Sequence, residues 1–136
     1  MNVTRFGQLL SLAAGLLDFG TGLGLVFLPT QILPLMHVPV PPYDALIFLR
    51  FVGAFVAAVG ACYLWALLLG GAERLRSCLE FTVLFRLSAG VFCIVAIARN
   101  WLVVGWISVP ATDFILLALQ LWLLAKLPSY ESPKSL

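Results

Sequence analysis

Apolar residues in this chain do not alternate with polar ones at the period of a soluble helix or strand. They run on in four long blocks, about 6–28, 45–69, 79–98 and 106–124. Each is close to the roughly 20 apolar residues that a spanning helix needs. Lipid offers no partner to a bare peptide group, so each block is expected to be a helix. Breakers mark the gaps between them. Five of the eight prolines lie between Pro29 and Pro42, and Gly70-Gly71 closes the second block. Asn100 follows the third and Pro128 the fourth. Pro110 falls near the start of the fourth block, where its missing N–H is tolerated. The pattern predicts an all-α fold, an integral membrane four-helix bundle. It would form a single transmembrane domain over 1–136, with 128–136 as a short polar tail.

Composition sets the solvent. Hydrophobic residues make up 62% of the 136-residue chain and charged residues 10%, against about 45–50% and about 25% in soluble proteins. So few charges cannot cover a surface facing water. A cytosolic enzyme, a nucleic-acid binder and a disordered tail are excluded on that ground. The first block is longer than the roughly 7–15 residue core of a signal peptide, and no small-residue cleavage pattern follows it, so it reads as a retained span.

Charge adds an orientation. Four spans put both ends on one side, which carries Arg5, Arg74, Arg76, Lys126 and Lys134, while the other carries Arg99. The positive-inside rule then predicts cytoplasmic termini, with a bacterial inner membrane as the expected location. Tyr43, Trp101 and Trp106 fall near the outer ends of the spans, and Tyr63, Trp65 and Trp122 near the inner ends, as an aromatic belt would. The stretch 29–42 is too short and too rich in proline to span. It reads as a connector in the interface with a helical turn at 31–36, or as a cap over an outward-facing pocket, ending in a stiff extended Pro39–Pro42. Glu80 and the run Glu73-Arg74-Leu75-Arg76 read as a solvated inner loop and its edge.

Chemistry-bearing residues are few. Cys62, Cys78 and Cys93 have no metal-ligand spacing and read as small packing residues. His37 is the sole histidine, which excludes a bis-histidine haem. No metal site, phosphate loop or nucleophile elbow is visible, and no cofactor is expected from the residues themselves. What stands out is Asp18, Arg50, Arg86 and Asp113, one in each span. Charges in lipid are costly, usually face the bundle interior and usually pair. At about 1.5 Å rise per residue, Arg50 lies about 8 Å and Asp113 about 10 Å below the outer surface. Their matched depth makes them the first expected pair. Asp18 lies mid-span, to be met by Arg86 from about 10 Å above the inner surface, or by Arg50. Helical faces support inward orientation. Asp18 shares a stripe with Gly7, Ser11, Ala14 and Gly22; Arg50 with Gly53, Ala57, Gly60 and Ala61; Arg86 with Gly90 and Cys93; Asp113 with Gln120.

Two readings follow. The charges are salt bridges that fix helix register, or they and Gln120 line a site that binds a small lipophilic or anionic ligand or relays protons. In the second reading Asp18 titrates and the arginines hold anions.

The stretch Gly20-Thr-Gly-Leu-Gly-Leu-Val-Phe-Leu-Pro29, the apolar proline-containing loop after it, and Arg50-Phe-Val-Gly-Ala54 resemble the DoxX-like group of small four-span bacterial membrane proteins. That resemblance covers about a third of the chain. It implies a four-helix bundle, a link to quinone redox complexes, and a quinone as cofactor. No catalytic residue carries over. An acid in the first span is also similar to small multidrug resistance transporters, but the two arginines would repel cationic drugs, and that reading ranks lower. The expected function is a non-catalytic membrane protein that binds a ligand in its polar interior or serves as a subunit of a larger complex. The alternatives are a small proton-coupled transporter using Asp18 and a quinone-linked oxidoreductase subunit. The lipid bilayer is the expected partner, with membrane proteins or further copies of the chain compatible.

Overall fold

A computed structural model describes residues 3–127, and the expected polar tail at 128–136 lies outside them. The described residues form five α-helices and no strand: α1 (Val3–Phe27), α2 (Pro29–Leu35), α3 (Tyr43–Leu69), α4 (Ala72–Ala98) and α5 (Ser108–Lys126). A 3-10 turn at Val104–Ile107 leads into α5. Four helices are long and apolar enough to cross a membrane, at Thr4–Phe27, Tyr43–Leu69, Ala72–Ala98 and Val104–Lys126. They alternate in direction as an up-down-up-down bundle. Their outer faces carry Phe48, Phe51, Phe55, Phe81, Leu84, Phe85 and Phe92, all exposed, as expected where lipid is the solvent.

α1 and α3 approach most closely, and glycine makes that possible. Gly15 faces Gly60 and Gly22 faces Gly53, so two glycines in each helix fall at the same seven-residue spacing. A Cβ built on Gly53 would lie 2.9 Å from the Gly22 carbonyl oxygen and 2.8 Å from Leu25 Cβ. One on Gly60 would run into the backbone of Phe19. Backbone cannot retreat as a flexible side chain can, so these positions exclude side chains. This is the small-residue packing that lets helices associate without a hydrophobic drive between them.

α4 differs from the expected third span. It starts at Ala72, well before the apolar run at Leu79, and takes in Glu73-Arg74-Leu75-Arg76. The loop between α3 and α4 shrinks to Gly70-Gly71, whose φ angles of 69° and 94° are left-handed and suit glycine. The charged run folds as helix for two reasons. Leu75 is buried against the core formed by Leu10, Tyr63, Leu79 and Leu123, and Arg76 Nε pairs with Glu80 at 2.9 Å, one turn on.

The connector at 29–42 is more ordered than a surface strap. Pro29 starts α2 at a position that needs no N–H. Leu33 is completely buried and packs with Leu25, Val38 and Leu46, with Trp106 beside them. α2 therefore plugs one end of the bundle, here called the α2 end. Trp106 joins that plug rather than standing free in an aromatic belt.

If backbone contact between α1 and α3 holds the bundle, Gly60→Ala should cost about 1–3 kcal/mol through overpacking. Gly20→Ala is the control, because nothing lies within 4 Å of a Cβ there. Thermal unfolding in detergent should separate the two. Equal midpoints would contradict the packing argument.

Candidate functional site

The bundle interior holds one connected set of polar side chains, centred on Arg86 of α4. Arg86 Nη2 donates to Asp18 Oδ2 of α1 at 2.7 Å, and Nη1 donates to Asp113 Oδ1 of α5 at 2.9 Å. Its Nε donates to the Tyr63 hydroxyl of α3 at 3.3 Å. One guanidinium thus touches all three other spanning helices. Its carbon also lies 5.6 Å from the centre of the Tyr63 ring, within the range of a cation–π contact. The Arg86 side chain is 3% exposed and each carboxylate 14%. These are close, charge-assisted bonds in a water-poor setting, where each counts for more than in solvent.

The network continues away from the α2 end. Gln120 Nε2 donates to the Tyr63 hydroxyl, and sits 3.5 Å from Thr82 Oγ1. Thr82 donates back to the Cys78 carbonyl of its own helix at 2.7 Å. Tyr63, Gln120 and Ser11 are all completely buried. Two buried polar atoms, Ser11 Oγ and Gln120 Oε1, have no partner among the described residues.

Helical periodicity places these groups. On α4, Thr82, Arg86, Gly90 and Cys93 are all buried and share one stripe. Gly90 lets the Phe114 ring of α5 approach, within 3.1 Å of where a Cβ would be. On α1 the stripe is Gly7, Ser11, Ala14, Asp18 and Gly22. On α5, Asp113 and Gln120 are two turns apart on the same side.

The structure brings together Asp18, Arg86 and Asp113, with Gln120 joined through Tyr63. It does not bring in Arg50. That side chain is exposed near the α2 end and donates to the Val26 carbonyl at the end of α1. The expected Arg50–Asp113 pair is therefore replaced by Arg86–Asp113. Matched depth was not enough. α3 packs on α1 and α4, and makes no close backbone approach to α5 among the described residues. A backbone carbonyl that has lost its helical partner at the end of α1 was nearer to Arg50. Tyr63 is a second correction. It was expected in an aromatic belt and is instead fully buried at the junction of the network. Its place was readable, since it falls one turn beyond Gly60 on the small-residue stripe of α3. Thr82 likewise sits one turn before Arg86.

Among the described residues no three His, Cys, Asp or Glu side chains gather as a metal site requires. The arrangement can share a proton or cation between two carboxylates and hold the helices in register. No protein-family model, curated protein or solved structure matches the chain.

Removing the shared cation should hurt most. Arg86→Gln leaves two facing carboxylates and should cost about 3–5 kcal/mol, the scale for breaking a buried pair. Asp113→Asn leaves the neutral Asp18–Arg86 pair and should cost clearly less. Denaturant unfolding in bicelles would check the order. An equal loss for both would show that Arg86 is not the common partner.

Proposed function

We propose that this is a small, non-catalytic integral membrane protein whose bundle interior binds a cation, in the simplest case a proton, at Asp18, Arg86 and Asp113. One observation carries the reading: a single guanidinium is shared by two carboxylates. With all three groups ionised the triad sums to −1. An uncompensated charge inside a bilayer is expensive and marks ion or proton sites more often than packing. One proton, or one monovalent cation, makes the triad neutral.

The same count argues against an anionic ligand at Arg86. An anion arriving there would join two carboxylates already in place. The lipophilic part of the expected ligand remains compatible with the apolar walls, but the charge recognised at the centre is positive. Asp18 does not act alone. It and Asp113 face the same guanidinium, so the proton belongs to the pair and not to either residue. The other ionisable groups near them are Tyr63 on α3 and Cys93 on α4, the latter within the field of Asp113. A carboxyl pair that gains and loses one proton while its helices stay packed is what a small proton-coupled transporter needs, and that is the role this reading favours. The excess of Lys and Arg at Arg5, Arg74, Arg76 and Lys126 supports cytoplasmic termini in a cell membrane.

Infrared spectra of the protein in lipid nanodiscs, titrated across pH, test the reading. The expected result is a protonated-carboxyl band beyond those of the exposed acids Asp44, Glu73 and Glu80, lost in Asp113→Asn although the helical signal is unchanged. A wild-type protein in which no carboxyl beyond the exposed ones titrates would overturn it, as would an unaltered band in Asp113→Asn.

A further inference from the structure

α1 and α5 run antiparallel, and two contacts fix their register. At one level Gly7 lies against Leu123, where a Cβ would sit 3.1 Å from Leu123 Cδ2, and Phe6 meets Trp122 edge-on at 5.6 Å. At the other level Asp18 and Asp113 share Arg86. Between them, Ser11 lies one turn from Gly7 and Gln120 about one turn from Leu123, so the two fall at one height in the bundle. Ser11 is seven residues from Asp18, and Gln120 seven from Asp113. The seam between α1 and α5 thus carries two polar layers, the acids and, two turns away, Ser11 with Gln120.

That second layer is unfinished. Ser11 Oγ and Gln120 Oε1 are fully buried and neither has a partner among the described residues. A buried polar atom without a partner is costly, and a completely apolar pair of positions would have avoided it. Two such atoms at one level of a helix–helix seam are the setting in which proteins hold internal water, which needs roughly two to four polar partners.

We infer that Ser11 and Gln120 bind an internal water, and that this water joins the Asp18–Arg86–Asp113 triad through Gln120 and Tyr63. Its role, though not its presence, rests on the proton-binding reading. The α2 end is closed by Leu25, Leu33, Val38 and Leu46. The hydrated layer lies on the other side of the triad, so it supplies the exchange contact that the plugged end cannot. Groups facing the triad are Asp18 from α1, Tyr63 from α3, Arg86 and Cys93 from α4, and Asp113 from α5; Arg50 is engaged elsewhere, with Val26.

Water-edited solid-state NMR of the full chain in bilayers tests this with the protein's own controls. Gln31 is exposed outside the spans and Leu84 is exposed on a spanning face. The Gln120 side-chain amide should receive water magnetisation as Gln31 does, and Ser11→Ala should remove most of it. A Gln120 as dry as Leu84 would overturn the inference, as would unchanged transfer in Ser11→Ala. In nanodiscs after a pH jump, Ser11→Ala should slow carboxyl protonation by about tenfold, the rate scale of one lost hydrogen bond, with the same final amplitude. An unslowed rise would overturn the link to the triad. A wet Gln120 in a protein whose Asp18–Asp113 pair never titrates would overturn the proton-binding reading and leave the water site standing.

Discussion

A guanidinium in lipid must be surrounded by acceptors, and the rest of this bundle is arranged so that Arg86 is. Its donors reach α1, α3 and α5 at once. Each helix is therefore fixed in rotation as well as depth, since turning any of them would strip a partner from a buried charge. Hydrophobic burial cannot provide that constraint here, because lipid tails accept a leucine as readily as a neighbouring helix does. Buried ion pairs contribute little net stability but can specify arrangement. In this chain one arginine specifies it for three neighbours.

The glycines and the charges depend on each other. Gly15, Gly22, Gly53 and Gly60 let α1 and α3 touch backbone to backbone, which brings Asp18 and Tyr63 within reach of the same guanidinium. On α4, Gly90 admits Phe114 and draws α5 in, and with it Asp113. The apolar plug of α2 then shuts one end of the polar column. Together these gather two acids around one arginine, a set that carries a net negative charge when all three are ionised, and that is the reason for a functional reading over a purely structural one.

Much of this was legible in the sequence, for definable reasons. Block length and the scarcity of charge identified the solvent and the spans. Periodicity of 3.6 put Asp18 and Arg86 on faces marked by small residues, and Asp113 on one face with Gln120. The partners were harder. Depth along a helix can be counted, so Arg50 and Asp113 seemed matched, but which helices stand side by side is a two-dimensional fact that counting residues does not supply. Tyr63 falls on the small-residue stripe of α3, but its type points the other way, since tyrosine near the end of a span usually anchors at the interface. The early start of α4 was hidden by its charges, which read as loop until Leu75 is seen to face the core. Ser11 was visible only as a small residue on a stripe. That its hydroxyl lacks a partner needed the neighbouring helix.

One arginine is shared by two acids from different helices. Solid-state NMR in lipid bilayers, with labelled arginine and aspartate, reads this directly as dipolar contacts between guanidinium nitrogens and carboxyl carbons. Contacts are expected from Arg86 to both Asp18 and Asp113, and none from Arg50 to either. A contact between Arg50 and Asp113, or an Arg86 that meets only one of the two acids, would contradict it.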